Sequence, residues 1–163
     1  MAKSKEEKTN VMRVLEQKKI AYSAHTYPHE EGVAVDGVTV AQSMGFDPAT
    51  VFKTLVARGA SKQYYVFDVP VAENLDLKKA AKAVGEKSIE MLHQKELLPL
   101  TGYVHGGCSP VGMKKLFPTV IDASAEDLST MIVSAGKIGY QVELSPRDLA
   151  ALVRAKFADL IAE

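Results

Sequence analysis

A lysine stands inside an apolar, strand-forming run, Val51-Phe52-Lys53-Thr54-Leu55-Val56. Alternation along a strand commits its side chain to one face, and an ammonium on an inward or concave face needs an anionic partner. That partner is either a buried carboxylate of the protein or a phosphate brought by a ligand. Further along, Gly106-Gly107-Cys108-Ser109-Pro110-Val111-Gly112-Met113-Lys114-Lys115 is a glycine-rich turn leading into a basic segment. Glycines in series remove the side chains that would hold a ligand away from backbone N–H groups. They also permit positive φ, so such a loop can wrap a carbonyl, a phosphate or a ribose. A Gly-Gly pair serves equally well as an ordinary tight turn.

Other chemistries are excluded by spacing. Gly107-Cys108-Ser109-Pro110-Val111 lacks the final glycine of a nucleophile elbow, and no Gly-x-x-x-x-Gly-Lys-Ser/Thr is present to hold a nucleoside triphosphate. His25 and His29 flank a proline and cannot share a helix face, and His93 and His105 have no partner at ligand spacing, so no metal site is expected. Cys108 lies near His105 in a backbone-rich loop, where a thiol could be activated. No Cys-His-Asn order accompanies it, so it reads as a small residue where bulk would not fit. No cofactor is implied.

The 163 residues are 47% hydrophobic and 25% charged, enough for one domain with a substantial core. Twenty basic and twenty acidic residues cancel, so no global field draws the chain to DNA or an anionic membrane. Lys78, Lys79 and Lys82, and Lys114 with Lys115, are local clusters of the kind usually found on solvated faces. A single cysteine excludes a disulfide framework. The polar start, Met1 to Lys8, has no apolar leader segment, and no apolar run nears the roughly 18 residues that span a bilayer. A cytoplasmic protein is expected.

Several elements must position Lys53 and the glycine loop. Thr9 or Asn10 caps a helix bearing Val11, Val14 and Leu15, and Ile20 to Tyr27 reads as a strand. Pro28 to Gly37 reads as an acidic loop, Val40 to Met44 as one or two helical turns stopped by Gly45, and Asp47-Pro48 as the start of another short helix. Phe52–Ala57 and Tyr64–Val69 form a hairpin about residues 58–62. Asp76 caps a helix with Leu77, Ala80, Ala81 and Val84 on one face and Gly85 as its stop. A turn of helix is expected before Pro99, a brief acidic one over Ala125 to Leu128, and strands at Thr119–Ile121, Met131–Val133 and Tyr140–Leu144. Ser134 to Gly139 is a second glycine turn, and Ser145-Pro146 opens a last helix whose apolar stripe runs through Leu149, Leu152, Val153 and Phe157. Short strands interleaved with short helices, without a regular βα repeat, argue for one mixed sheet with helices around it.

His25-Thr26-Tyr27, Val51 to Leu55, Leu75 to Lys82, Thr101-Gly102-Tyr103, Gly106 to Lys115 and Val133 to Lys137 occur in this order and at these separations in the YbaK/EbsC family. The chain resembles that family over nearly its whole length. Its members are free-standing relatives of the editing domain inserted in bacterial prolyl-tRNA synthetase. The resemblance implies an α+β single domain over residues 1–163, with a mixed sheet curled toward a barrel and a pocket at one mouth. It also implies a cytoplasmic trans-editing deacylase that removes cysteine from mischarged Cys-tRNA(Pro), and from Cys-tRNA(Cys). Cysteine and proline have similar volumes, and a pocket separates near-isosteres by only about 1–3 kcal/mol, so a second sieve is needed.

By the same resemblance Lys53 meets the terminal phosphate or ribose of the tRNA acceptor end, and Gly106-x-x-x-Pro110 lays its backbone beside the aminoacyl carbonyl. Lys53 and Gly106 are the implied catalytic residues. Tyr27, Thr54, Tyr103, Gly107, Ser109, Pro110, Ser134 and Gly136 are the implied substrate-binding set. Two departures from the family stand out: residues 30–37 lack an aromatic that many relatives carry, and Gln141 replaces an aspartate found in some. With no convincing protein nucleophile, the resemblance assigns the chemistry to the substrate's own thiol, with the pocket supplying position and oxyanion stabilisation. Ala-tRNA(Pro) deacylation, and non-enzymatic binding of tRNA or a synthetase, are the other readings. Prolyl-tRNA synthetase is the implied protein partner.

Overall fold

The structure, a computed structural model, describes residues 8–30 and 33–163. The polar stretch through Glu7, and Glu31 and Gly32 of the acidic loop, lie outside the described residues. Helix α1 (Asn10–Gln17) starts where the Thr9 hydroxyl accepts from the Met12 amide, and it buries Val11, Met12 and Leu15. Strand β1 (Tyr22–Thr26) follows. Helix α2 (Gly37–Met44) begins earlier than its apolar residues suggest, because the Asp36 carboxylate accepts from the Thr39 amide and sets the first turn. It stops at Gly45, whose φ is 78°.

After a 3-10 turn at Pro48–Thr50 come β2 (Phe52–Gly59) and β3 (Tyr64–Pro70), the expected hairpin. Asp76 caps α3 (Leu77–Val84) by accepting from the amides of Lys78 and Lys79. Strand β4 (Ile89–Met91) leads to α4 (Gln94–Thr101), which runs through Pro99 and ends at Gly102 instead of finishing before the proline. Beyond the glycine loop lie β5 (Thr119–Asp122), a 3-10 turn (Ala123–Asp127), β6 (Met131–Ser134), β7 (Tyr140–Leu144) and α5 (Pro146–Val153). Arg154 adopts φ 57° and ends α5, so Phe157 sits not on the helix but on a short strand, β8 (Lys156–Ala158).

The strands form two sheets where one was expected. Strands β1-β7-β6 are antiparallel throughout. The other sheet has the order β4-β2-β3-β5-β8, with β3, β5 and β8 parallel to one another. Among the described residues one β-bridge, Val51 to Ile132, joins the two. The division follows from burial: nearly every residue of β3 is buried, so its sheet must be covered on both faces. Leu55, Ala57, Tyr65, Phe67 and Val69 pack on Ala80 and Ala81 of α3. Val56 and Val66 on the opposite face pack on Cys108 and Phe117, with Leu97 and Leu100 of α4 beside them. The three-stranded sheet makes a separate core with α1 and α5, into which Phe52 and Ile121 reach.

Residues after β8 lace the larger sheet to α3. The Leu160 amide donates to Asp122 Oδ1 at 2.9 Å, the Asp76 amide donates to the Leu160 carbonyl at 2.8 Å, and Lys79 Nζ meets Asp159 Oδ2 at 3.0 Å. Helix α3 therefore depends on both its cap and this tail. Replacing Asp76 by Ala should lower unfolding free energy by about 1 kcal/mol, seen as a lower urea midpoint with an unchanged slope.

Candidate active site

A pocket of ≈ 410 Å³ opens where the start of β2, the ends of β6 and β7, α2 and the glycine loop converge. That volume suits a small-molecule group, about 300–1,000 Å³ being usual. Of the residues expected at the site, Lys53, Gly106, Tyr27, Thr54 and Ser134 line it.

Lys53 is half-buried and, among the described residues, makes no ion pair or hydrogen bond. Burial pushes its amine below the usual lysine range, and Asp36 and Glu73 oppose this from a distance. No carboxylate of the described residues lies within salt-bridge reach of it. Tyr27 is buried, which raises its phenol above the ordinary value. Ser134 faces Gln141 across the β6–β7 ladder, and its hydroxyl accepts from the Gly136 amide at 3.1 Å.

The glycine loop is held by its own bonds. Tyr103 donates its hydroxyl to the Val111 carbonyl at 2.6 Å, the Gly107 amide donates to Val104 O at 2.9 Å, and the Lys114 amide returns to Thr101 O at 3.0 Å. Within that frame the amides of Gly106 and Cys108, both residues of the pocket wall, donate to no acceptor among the described residues. Gly106 has φ 89°, and an added Cβ would lie 2.7 Å from that of Ala34.

Tyr103, Gly107, Ser109, Pro110 and Gly136 do not line the pocket. Gly107 and Gly136 let the glycine loop and the Ser134–Gly139 turn approach: a Cβ on Gly107 would sit 3.0 Å from the Ile138 nitrogen, and one on Gly136 2.9 Å from the Tyr103 ring. Ser109 is fully buried and accepts from the Val111 amide, while Pro110 borders a separate apolar cavity of ≈ 150 Å³.

Residues 32–152 match the aminoacyl-tRNA editing domain. The chain belongs to that family. It is 45% identical, over 98% of its own length and 98% of the other protein's, to an Enterococcus faecalis protein named as a Cys-tRNA(Pro)/Cys-tRNA(Cys) deacylase, EbsC. A crystal structure described as a trans-editing enzyme for prolyl tRNA synthetase superposes with a TM-score of 0.80 at 26% identity, covering 97% of this chain and 100% of that one. The hypothetical protein APE2540 shares the fold, with a TM-score of 0.83 at 20% identity over 94% of this chain and 100% of its own.

The editing domain's pocket also contains residues that the sequence reading did not place there: Asp36, His105, Cys108 and Gln141. Gln141 is buried and its amide oxygen has no partner. Cys108 is buried, and burial followed by the nearby Asp68 pushes its thiol up to about 12. Among the described residues no three His, Cys, Asp or Glu side chains gather closely enough to hold a metal ion. Behind the pocket, Asp68 is fully buried, and burial raises its carboxyl to about 7 although the Thr54 hydroxyl donates to it. The signal for Asp68 was the one that marked Lys53, a charge inside an apolar strand.

Two outcomes follow for stability. The proton on Asp68 is held more tightly in the folded state, so this group's contribution is full below its unfolded value near 3.9 and is lost as pH rises through about 7. Asp68→Asn should flatten the fall in melting temperature between about pH 5 and pH 7.5. Gly106→Ala should cost about 1–2 kcal/mol from its left-handed backbone alone, with a further loss from the contact with Ala34, and chemical denaturation would measure both.

Proposed function

We propose that this chain is a trans-editing deacylase that clears cysteine from mischarged Cys-tRNA(Pro), accepting Cys-tRNA(Cys) as well. The observation that carries the reading is the meeting, in one ≈ 410 Å³ pocket, of the unpaired ammonium of Lys53 with the uncommitted amides of Gly106 and Cys108. Lys53 holds the anionic part of the acceptor end, either the terminal phosphate or the ribose edge beside it. The two amides receive the negative charge that develops on the aminoacyl carbonyl oxygen. Tyr27, Thr54 and Ser134 shape the space around the amino acid, with Tyr103, Gly107, Ser109, Pro110 and Gly136 holding the loop that presents the amides.

The nucleophile is the substrate's thiol. The thiol gives its proton to solvent, the thiolate sulfur bonds to the ester carbonyl carbon, the carbon–oxygen bond to the ribose breaks, and the ribose oxygen takes a proton from solvent as its hydroxyl. A cyclic thiolactone departs from the tRNA, so the cleavage is an intramolecular acyl transfer from oxygen to sulfur that consumes no water. Cys108 does not compete for this role. Burial pushes its thiol up to about 12, so it stays protonated at neutral pH. Holding thiolate and carbonyl in an attack geometry is the larger part of what the pocket supplies.

Selection of the tRNA body comes from a bound prolyl-tRNA synthetase, because a chain with zero net charge has no field with which to grip a whole tRNA. The described helices include none long and apolar enough to cross a membrane, and a cytoplasmic site of action fits this reading.

Deacylation assays on purified protein test it. Lys53→Ala should reduce deacylation at least tenfold to a hundredfold, the worth of a charge-assisted contact of about 1.5–3 kcal/mol, with an unchanged fold by circular dichroism. Normal turnover by that variant would remove Lys53 from the mechanism. Cys108→Ala should stay active, whereas S-alkylated cysteinyl-tRNA should not be cleaved. An acyl group trapped on Cys108 and seen by mass spectrometry would reverse the assignment of the nucleophile. Cleavage of alanyl-tRNA faster than cysteinyl-tRNA would point to the alanine-editing specificity.

A further inference from the structure

The buried face of the five-stranded sheet under the glycine loop carries one ionisable group that the chemistry above does not use. Asp68 stands directly opposite Thr54 in the β2–β3 register. The Thr54 hydroxyl donates to Asp68 Oδ1 at 2.6 Å, and Oδ2 has no hydrogen-bond partner among the described residues. Thr54 itself belongs to the pocket wall, next to Lys53, while Asp68 lies behind it. A buried carboxylate with an open oxygen is costly, and a threonine, serine or valine ladder would fill this position without that cost.

We propose that Asp68 is a positioning residue that sets the polarity of Thr54 toward the substrate. A threonine hydroxyl has one proton and two lone pairs. While Asp68 is ionised it can only accept, so the single Thr54 proton is committed to it and the oxygen presents lone pairs to the pocket. The wall at Thr54 is then an obligate acceptor for a hydrogen-bond donor on the aminoacyl group. The donor that a cysteinyl ester offers is its α-ammonium, since the thiol must give up its proton to attack. When Asp68 takes up a proton it becomes the donor of the pair, and the Thr54 hydroxyl is freed to turn its proton on the ammonium, opposing it.

The surroundings place this exchange in the working range of pH. Burial holds the Asp68 carboxyl at about 7. The groups facing it from the elements packed on this side are Cys108 of the glycine loop, raised to about 12, and beyond it Tyr103, also raised to about 12. Both are neutral across that range, so neither neutralises Asp68 nor titrates with it. Thr101, at the end of α4, bonds Leu97 O and the Tyr103 amide and leaves the carboxylate alone. On β2 the nearest cation of the pocket, Lys53, forms no ion pair with it.

The inference rests on the deacylase reading, and the test separates the two. Steady-state kcat/KM for cysteinyl-tRNA is measured from pH 6 to pH 8 for the wild type, Asp68→Asn, Thr54→Val and the double variant. The substrate's own titration is common to all and cancels in ratios. The wild-type to Asp68→Asn ratio should climb about tenfold over this range, whichever way the new amide faces, as the ionised fraction of a group near 7 rises. On the Thr54→Val background Asp68→Asn should add no further loss, and Thr54→Ser should restore the pH step. 3-Mercaptopropionyl-tRNA, which keeps the thiol but has no α-nitrogen, tests the partner: the Thr54→Val loss should disappear on it, and a loss that persists would overturn the assignment of the ammonium. An inactive wild type would defeat the deacylase reading itself. An active wild type with a flat ratio, or losses that add in the double variant, would overturn the role given to Asp68 and leave it a structural residue.

Discussion

Gly107 lies so near the Ile138 amide that a Cβ would stand 3.0 Å from its nitrogen, and Gly136 approaches the Tyr103 ring to a similar limit. These two contacts tie the loop after α4 to the turn between β6 and β7, which belong to different parts of the fold. Among the described residues the sheets share only one β-bridge, Val51 to Ile132. Without the close packing of the two loops the pocket would have an open side, and the amides of Gly106 and Cys108 would have no fixed position relative to Lys53. Backbone-to-backbone approach of this kind is available only where a side chain is missing. The glycines are therefore a requirement of assembly first and of ligand access second.

What remains polar in and behind the pocket is expensive. Lys53 is drawn below its usual range by burial, Asp68 behind the wall is raised, and among the described residues the Gln141 amide oxygen and Asp68 Oδ2 lack partners. Each such group costs of the order of 1–3 kcal/mol relative to a satisfied one. Tyr103 illustrates the contrast. Its phenol is half-buried, but the Val111 carbonyl satisfies it, and it serves the loop and not the pocket.

Much of this was legible in the chain. The capping residues Thr9, Asp76 and Ser145 and the stops Gly45 and Gly85 are local signals, read within a few residues, and the elements they bound appear where expected. Lys53 announced itself as a charge in an apolar strand. Asp68 carried the same mark, but its significance lies in facing Thr54, and the register between two strands is not written in either one alone. Gln141 enters the pocket through its pairing with Ser134, for the same reason. The family blocks brought Tyr103, Gly107 and Gly136 to the right neighbourhood without telling a wall residue from one that supports the wall. Strand β8 escaped because three residues give no period, and because Arg154 rather than a glycine ends α5. The split into two sheets escaped because it depends on which layers cover β3, a property of the whole fold.

The parallel run β3-β5-β8 bears on how the molecule comes into being during synthesis. A parallel neighbour cannot be delivered by a tight turn, and here β5 waits for β8, more than thirty residues later in the chain, before its second edge is paired. The lacing of Leu160 to Asp122 and Asp76 adds contacts of equally long reach. Such contacts slow folding, since loop closure precedes any gain from them. The hairpin that carries Lys53 and Thr54 emerges early, yet the sheet that stiffens it closes only after residue 161 has left the ribosome. A nascent chain thus presents the residues of the pocket well before it presents the pocket.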